Sequence, residues 1–129
     1  SVKAFYTENL TGFKRSLLQR NALLKDIHLN SGLYDILDTF DDQLSRYSAT
    51  VINERLNYLK ILSEFSREIY AGISEKKEEI SINYSLSDLL KEDFSISDIY
   101  NLQKEKLKEA RKEDITFKTT SVGPHRDDI

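Results

Sequence analysis

The residues best equipped for chemistry stand together at the end of the chain. Gly123, Pro124, His125, Arg126, Asp127 and Asp128 form the run GPHRDD. A histidine, an arginine and two carboxylates within four positions could bind a metal, a phosphate or one another. Asp127 and Asp128 offer the oxygens that hard cations take, but in an extended chain neighbouring side chains point to opposite faces. Arg126 offers a planar fork for a carboxylate or a phosphate. As a bare pattern the run also reads as an exposed turn with a local Arg–Asp pair. Pro124 removes an N–H and biases Gly123 toward extended or turn geometry. The chain is therefore expected to leave a preceding strand through a turn and to enter a new strand near Asp128.

Other routes to chemistry are thin. There is no GxxxxGK[ST] or GxGxxG loop to hold a nucleotide. There is no HExxH motif and no cysteine, so neither thiolate chemistry nor a Cys/His metal cluster is available; the metal-site expectation is none. His28 sits alone near a helix end, where it reads as a polar partner for terminal carbonyls. Arg20, Asn21 and Arg55 interrupt otherwise apolar stripes. A polar residue in a packed seam fixes register and partner, and the expected contact is an Arg–Glu or Arg–Asn pair locking two helices; the alternative is a rotated helix with these residues facing water.

The elements that position these residues follow from periodicity. Val2, Phe5, Leu10, Phe13, Leu17, Leu24 and Ile27 recur at mostly three- and four-residue steps and predict a helix over 2–26. HLNSG at 28–32 ends it, with Gly32 expected to take the helix exit. Leu37, Phe40, Leu44, Tyr47, Val51, Tyr58, Leu62, Phe65, Ile69 and Ile73 predict a second helix over 33–73. The short link makes the two an antiparallel hairpin. Ile80, Ile82, Tyr84 and Leu86 alternate and predict a strand over 78–86. A short helical turn is expected in 85–94. Ser95 and Asp98 form a capping-box pattern at the start of a helix over 95–114. Ile115, Phe117 and Thr119 alternate and predict a second strand over 114–121. The expected fold class is α+β and mostly α-helical: a long antiparallel helical hairpin, a shorter helix and two short strands, in a single domain over 1–129.

Charge is blocked along the 129 residues, although the net is only −3. Residues 1–25 carry five basic side chains and one acid; residues 26–54 carry one basic and six acids. A mildly acidic mean therefore leaves room for a basic face. Lys14, Arg15, Arg20 and Lys25 are the candidate phosphate contacts for DNA. No apolar run approaches a membrane span, so no membrane partner is expected. Methionine is absent, and the chain is expected to be a piece of a longer protein.

Three stretches together resemble the RecF family of DNA-repair ATPases. The first is FYTENLTGFKRSLLQRNALLK at 5–25. The second is LYDILDTFDDQLSRYSATVINERLNYLKIL at 33–62, with Asp38, Asp41, Gln43, Leu44, Ser48, Ala49, Arg55 and Tyr58 on the family pattern. The third, and the most specific, is GPHRDD at 123–128, followed by Ile129. Residues 75–114 match only in the order of strand, helix and strand. The resemblance implies a helical arm inserted into an SMC/ABC-type nucleotide-binding head, with GPHRDDI marking re-entry into that head. For the parent protein it implies ATP and magnesium, an ATP-dependent homodimer, DNA at gaps or single-strand/double-strand junctions, RecO- and RecR-type partners, and a cytoplasmic location. For this chain it implies no cofactor and no catalysis, and a role in DNA binding, dimerisation or partner contact. The alternative is an autonomous helical adaptor that takes a partner helix in a groove. A phosphate- or metal-dependent enzyme built on His125, Asp127 and Asp128 ranks last, because no nucleophile accompanies them.

Overall fold

A computed structural model describes the backbone of residues 2–73 and 95–126, with side chains described for 7–65 and 95–126. Four α-helices account for most of this: α1 (Val2–Leu29), α2 (Leu37–Ile73), α3 (Ile96–Glu109) and α4 (Arg111–Phe117). Two 3₁₀ turns, Ser31–Ile36 and Pro124–Arg126, complete it. Among the described residues there is no strand, so the fold is all-α and the α+β expectation is corrected. The strand expected over 78–86 and the helical turn expected in 85–94 lie outside the described residues.

The hairpin forms as its stripes require. Arg20 meets Asp41, and Leu24 packs with Leu37, so α1 and α2 run antiparallel. The exit from α1 is made by Asn30 rather than by a left-handed glycine. Asn30 takes an extended φ of −147°, and its side chain accepts the Gly32 N–H at 3.0 Å. That Asx contact starts the 3₁₀ turn, which runs directly into α2. Gly12 brings the helices close: a Cβ there would lie 2.2 Å from the Tyr47 ring.

Helix α3 opens with the expected capping box. The Ser95 hydroxyl accepts the Asp98 N–H, and the Ser95 N–H donates to the Asp98 carboxylate, each at 3.1 Å. It packs antiparallel to α2, with Ile99 set among Ala49, Ile52, Leu56 and Leu59. A central cluster of Phe13, Leu44, Val51 and Leu107 joins α1, α2 and α3, and Val122 from the tail packs onto it. A third cluster, Leu23, Leu24, Ile27 and Leu37, lies at the loop end with Ile115 against it. Burial of each such aliphatic side chain is worth roughly 1.5–3 kcal/mol.

Two expectations fail for physical reasons. Helix α2 serves two partners, so its buried face broadens from the Leu37–Leu44–Val51 seam to Ile52, Leu56 and Leu59, while Tyr58 and Phe65 are exposed. And the expected strand from 114 is helix α4 as far as Phe117. Its alternation of Ile115 and Phe117 is local, whereas Arg111 and Asp114 are buried in ion pairs with other helices. Helical spacing puts both on one face, and extended spacing would part them. Lys118 then ends α4 in the left-handed conformation, at φ 57°.

Candidate functional site: a buried arginine network and the turn it carries

Arg20 is completely buried in the middle of α1. Its Nε donates to Asp41 Oδ1 at 2.6 Å. Its Nη1 donates to Asp114 Oδ2 at 2.8 Å and to the Thr120 hydroxyl at 3.0 Å. Nη2 points to the Leu107 carbonyl at 3.5 Å. One side chain thus ties α1 to α2, α3, α4 and the C-terminal tail. Charged donors and acceptors make the stronger hydrogen bonds, and here each lies where water would otherwise be needed.

The carboxylates around Arg20 are themselves shared. Asp41 Oδ2 accepts from Arg111 Nε at 2.9 Å, and Arg111 Nη2 reaches Asp38 at 2.5 Å. Burial on its own would lower the Arg111 pKa, but the hydrogen bonds that Arg111 donates to Asp38 and Asp41 outweigh it and hold the guanidinium above its ordinary value. The Arg111 hydrogen bond in turn holds the exposed Asp38 carboxyl below the usual carboxylate range. Asp114 Oδ1 accepts both the N–H and the hydroxyl of Ser121, at 3.2 and 2.7 Å. Asn21 Oδ1 accepts the N–H and the hydroxyl of Thr120, at 2.8 and 2.6 Å. Two arginines, two buried aspartates and Asn21 therefore fix the path of residues 120–121.

Beyond that anchor comes the turn. Gly123 takes φ 140°, which L side chains rarely adopt, and a Cβ there would meet the His125 ring at 2.8 Å. Arg55 Nη1 donates to the Pro124 carbonyl at 2.8 Å. The His125 ring tilts against Phe13 with centroids 5.7 Å apart, and its Nε2 lies 3.0 Å from the Thr120 carbonyl. Arg126 N–H closes the 3₁₀ turn onto Gly123 O at 3.0 Å. Gly123 and Pro124 are buried, whereas His125 and Arg126 are exposed. Asp127 and Asp128, with the strand expected near them, lie outside the described residues.

The sequence candidates therefore separate. Arg20 is withdrawn from solvent and cannot contact a phosphate; Lys14, Arg15 and Lys25 remain exposed on α1. Arg20, Asn21 and Arg55 converge on the segment 120–124, but by different partners from those expected: Arg20 pairs with aspartates, and Asn21 and Arg55 hold the tail rather than the opposite helix. His28 Nε2 lies 2.5 Å from the Ile115 carbonyl in α4, so its partner is in another helix rather than among the terminal carbonyls of α1. Sequence alone does not single out Arg111, Asp114, Thr120 and Ser121 as site residues. One signal was available: the spacing of Ile99, Gln103, Leu107, Arg111 and Asp114 continues the buried stripe of α3 into charged residues.

No protein-family model matches the chain. Two solved structures of the recombination mediator protein RecF in the RecFOR pathway do. RecF-ATPrS superposes with a TM-score of 0.82 at 33% identity over 98% of this chain, and RecF-ATP with 0.76 at 34% over 95%. The chain resembles RecF in both sequence and fold. The DNA replication and repair protein RecF of Clostridium perfringens strain SM101 is 35% identical over 127 residues, 96% of this chain. RecF of Streptococcus gordonii strain Challis is 38% identical over 130 residues, covering 99%. The chain spans about a third of the length of these RecF relatives, 32% and 34% respectively. Among the described residues no helix is long and apolar enough to cross a membrane, and no group of three or more His, Asp or Glu side chains is placed to hold a metal ion.

Proposed function

We propose that this chain is the helical arm of a RecF-like recombination mediator and contributes DNA contact through the exposed face of α1. The observation that carries the reading is the agreement with RecF over nearly the whole chain, at a TM-score of 0.82. In this reading the arm is one domain, borne on a cytoplasmic ATP-binding head that takes magnesium, and the GPHR turn is where arm and head meet. The parent protein pairs with a second copy and acts with RecO- and RecR-type partners at gapped DNA. ATP chemistry belongs to the head: the arm's sequence carries no phosphate loop, and the buried carboxylates Asp41 and Asp114 are already committed to arginine. Lys14, Arg15 and Lys25 supply the phosphate contacts in the arm.

Fluorescence anisotropy on labelled gapped duplex tests the DNA role. Three phosphate contacts imply a slope of about −2.7 in log K against log salt, so raising salt fourfold weakens binding about 40-fold. Replacing Lys14, Arg15 and Lys25 by glutamine removes that dependence. Binding that ignores salt, or survives the triple substitution unchanged, rejects α1 as the DNA face.

A second reading is favoured by one observation. Tyr58, Ile61 and Phe65 on α2 are each about 60% exposed, as an adaptor that takes a partner helix would require. Loss of a protein partner on Phe65→Ser, with DNA binding intact, would favour it.

A further inference from the structure

The tail is attached to the bundle in two ways, and the change between them comes at the left-handed Gly123, two residues before exposure begins at His125. Upstream, Thr120 is fully buried on Arg20 and Asn21, Ser121 is bonded to Asp114, and Val122 packs onto the central cluster. Downstream, Pro124 is still buried, but Arg55, His125 and Arg126, which hold the turn, are half-buried or exposed, with His125 Nε2 and Arg126 Nη2 at 3.0 and 3.5 Å from the Thr120 carbonyl. Arg55 is half-buried where it donates to the Pro124 carbonyl, and the His125 ring leans on Phe13 from an exposed position. Gly123 alone among the described glycines has a positive φ, so the change of direction between the two tiers rests on the one residue that permits it.

We propose that residues 123–126 form a latch that pivots at Gly123, with Arg55 and Phe13 as the positioning residues that hold His125 and Arg126 against the α1–α2 hairpin. Releasing Arg55 loosens the turn, which then swings once His125 and Arg126 let go of the Thr120 carbonyl, while the Thr120 and Ser121 side chains stay seated on the buried network. The bundle therefore keeps its fold in both states, and what changes is the direction in which the exposed Arg126 guanidinium is presented. The significance of that direction rests on the reading that the turn faces the rest of a larger protein; the latch itself does not.

Amide hydrogen exchange of the 129-residue chain, read residue by residue by NMR, tests it. The Arg126 N–H, bonded to Gly123 O, reports the latch. The Thr120 and Ser121 N–H groups, bonded to Asn21 and Asp114, report the anchor. Arg55→Gln is expected to speed exchange at Arg126 about tenfold or more, the size expected for losing a charged hydrogen bond. Exchange at Thr120 and Ser121 should change less than about twofold. Phe13→Leu, which keeps an apolar side chain in the core, should give the same pattern more weakly, and it serves if Arg55→Gln does not fold. Asp114→Asn should speed all three amides. If Arg55→Gln or its substitute accelerates all three together, the tail is one unit and the latch is wrong. An unchanged Arg126 amide rejects it equally. No DNA enters this measurement, so failure of the DNA reading and failure of the latch are separate results.

Discussion

Replacing Arg20 by methionine keeps most of the aliphatic volume and deletes the guanidinium. The consequences differ among its partners. Asp41 retains Arg111 at 2.9 Å. Asp114 retains only Ser121, a neutral donor, and at 1% exposure it becomes a buried carboxylate without a cation. Breaking a buried ion pair by removing one member typically loses about 3–5 kcal/mol. A domain of this size has roughly 5–15 kcal/mol in total, so the melting temperature should fall by roughly 10–20 °C. The magnitude rests on the stranded charge, so Arg20→Met combined with Asp114→Asn should be more stable than Arg20→Met alone. Urea titration of wild type, both single variants and the double variant closes the cycle. A loss below about 1 kcal/mol, or a double variant no better than the sum of the singles, would show that Asp114 is not left with the uncompensated charge argued here.

Three further outcomes are expected. Leu44→Ala, in the central cluster at 0% exposure, should lose about 2–5 kcal/mol by chemical denaturation; a loss under about 0.5 kcal/mol would place that stripe at the surface. The hydrogen bond from the Tyr100 hydroxyl, then that from Arg46, hold Asp42 below the usual carboxylate range. Stability from Asp42 is therefore present above a pH of about 4 and is lost as pH falls through its depressed folded value. Asp42→Asn should flatten the acid limb of a stability–pH profile, and an unaltered limb would exclude Asp42 as its source. Lys118, left-handed at φ 57° without being glycine, should gain about 0.5–1 kcal/mol on replacement by glycine, read as a raised thermal midpoint.

Much of the helical architecture is legible from spacing alone. The antiparallel hairpin follows from two stripes and a five-residue link, and Ser95 with Asp98 announces the start of α3. The errors arise where a residue's partner is distant in sequence. Arg20 shows itself as a break in the α1 stripe, but Asp41 lies 21 positions away and Asp114 lies 94 away, and no local pattern selects them. The same distance explains the false strand at 114–121: the pull of Arg20 on Asp114 and of Asp41 on Arg111 overrides the alternation of Ile115 and Phe117. Tyr58 and Phe65 belong to the seam only for a helix with a single partner. The arrival of α3 beside Ile52 and Leu56 turns that part of α2. For the candidate site, GPHR was visible as a motif, yet the depth at which Gly123 and Pro124 sit, and the arginine that holds the Pro124 carbonyl, depend on contacts spanning the chain.

Helix α2 runs 37 residues, Leu37–Ile73, with no proline. Packing against α1 and α3 supports this rod from Leu37 to Leu59, the last buried residue described on it. At 1.5 Å per residue, Ile73 stands about 21 Å farther along the axis. A rotation of about 5° at Leu59 would carry the far end through about 2 Å. The helix is thus built as a lever: its far end moves by ångströms for a tilt of a few degrees at its last support.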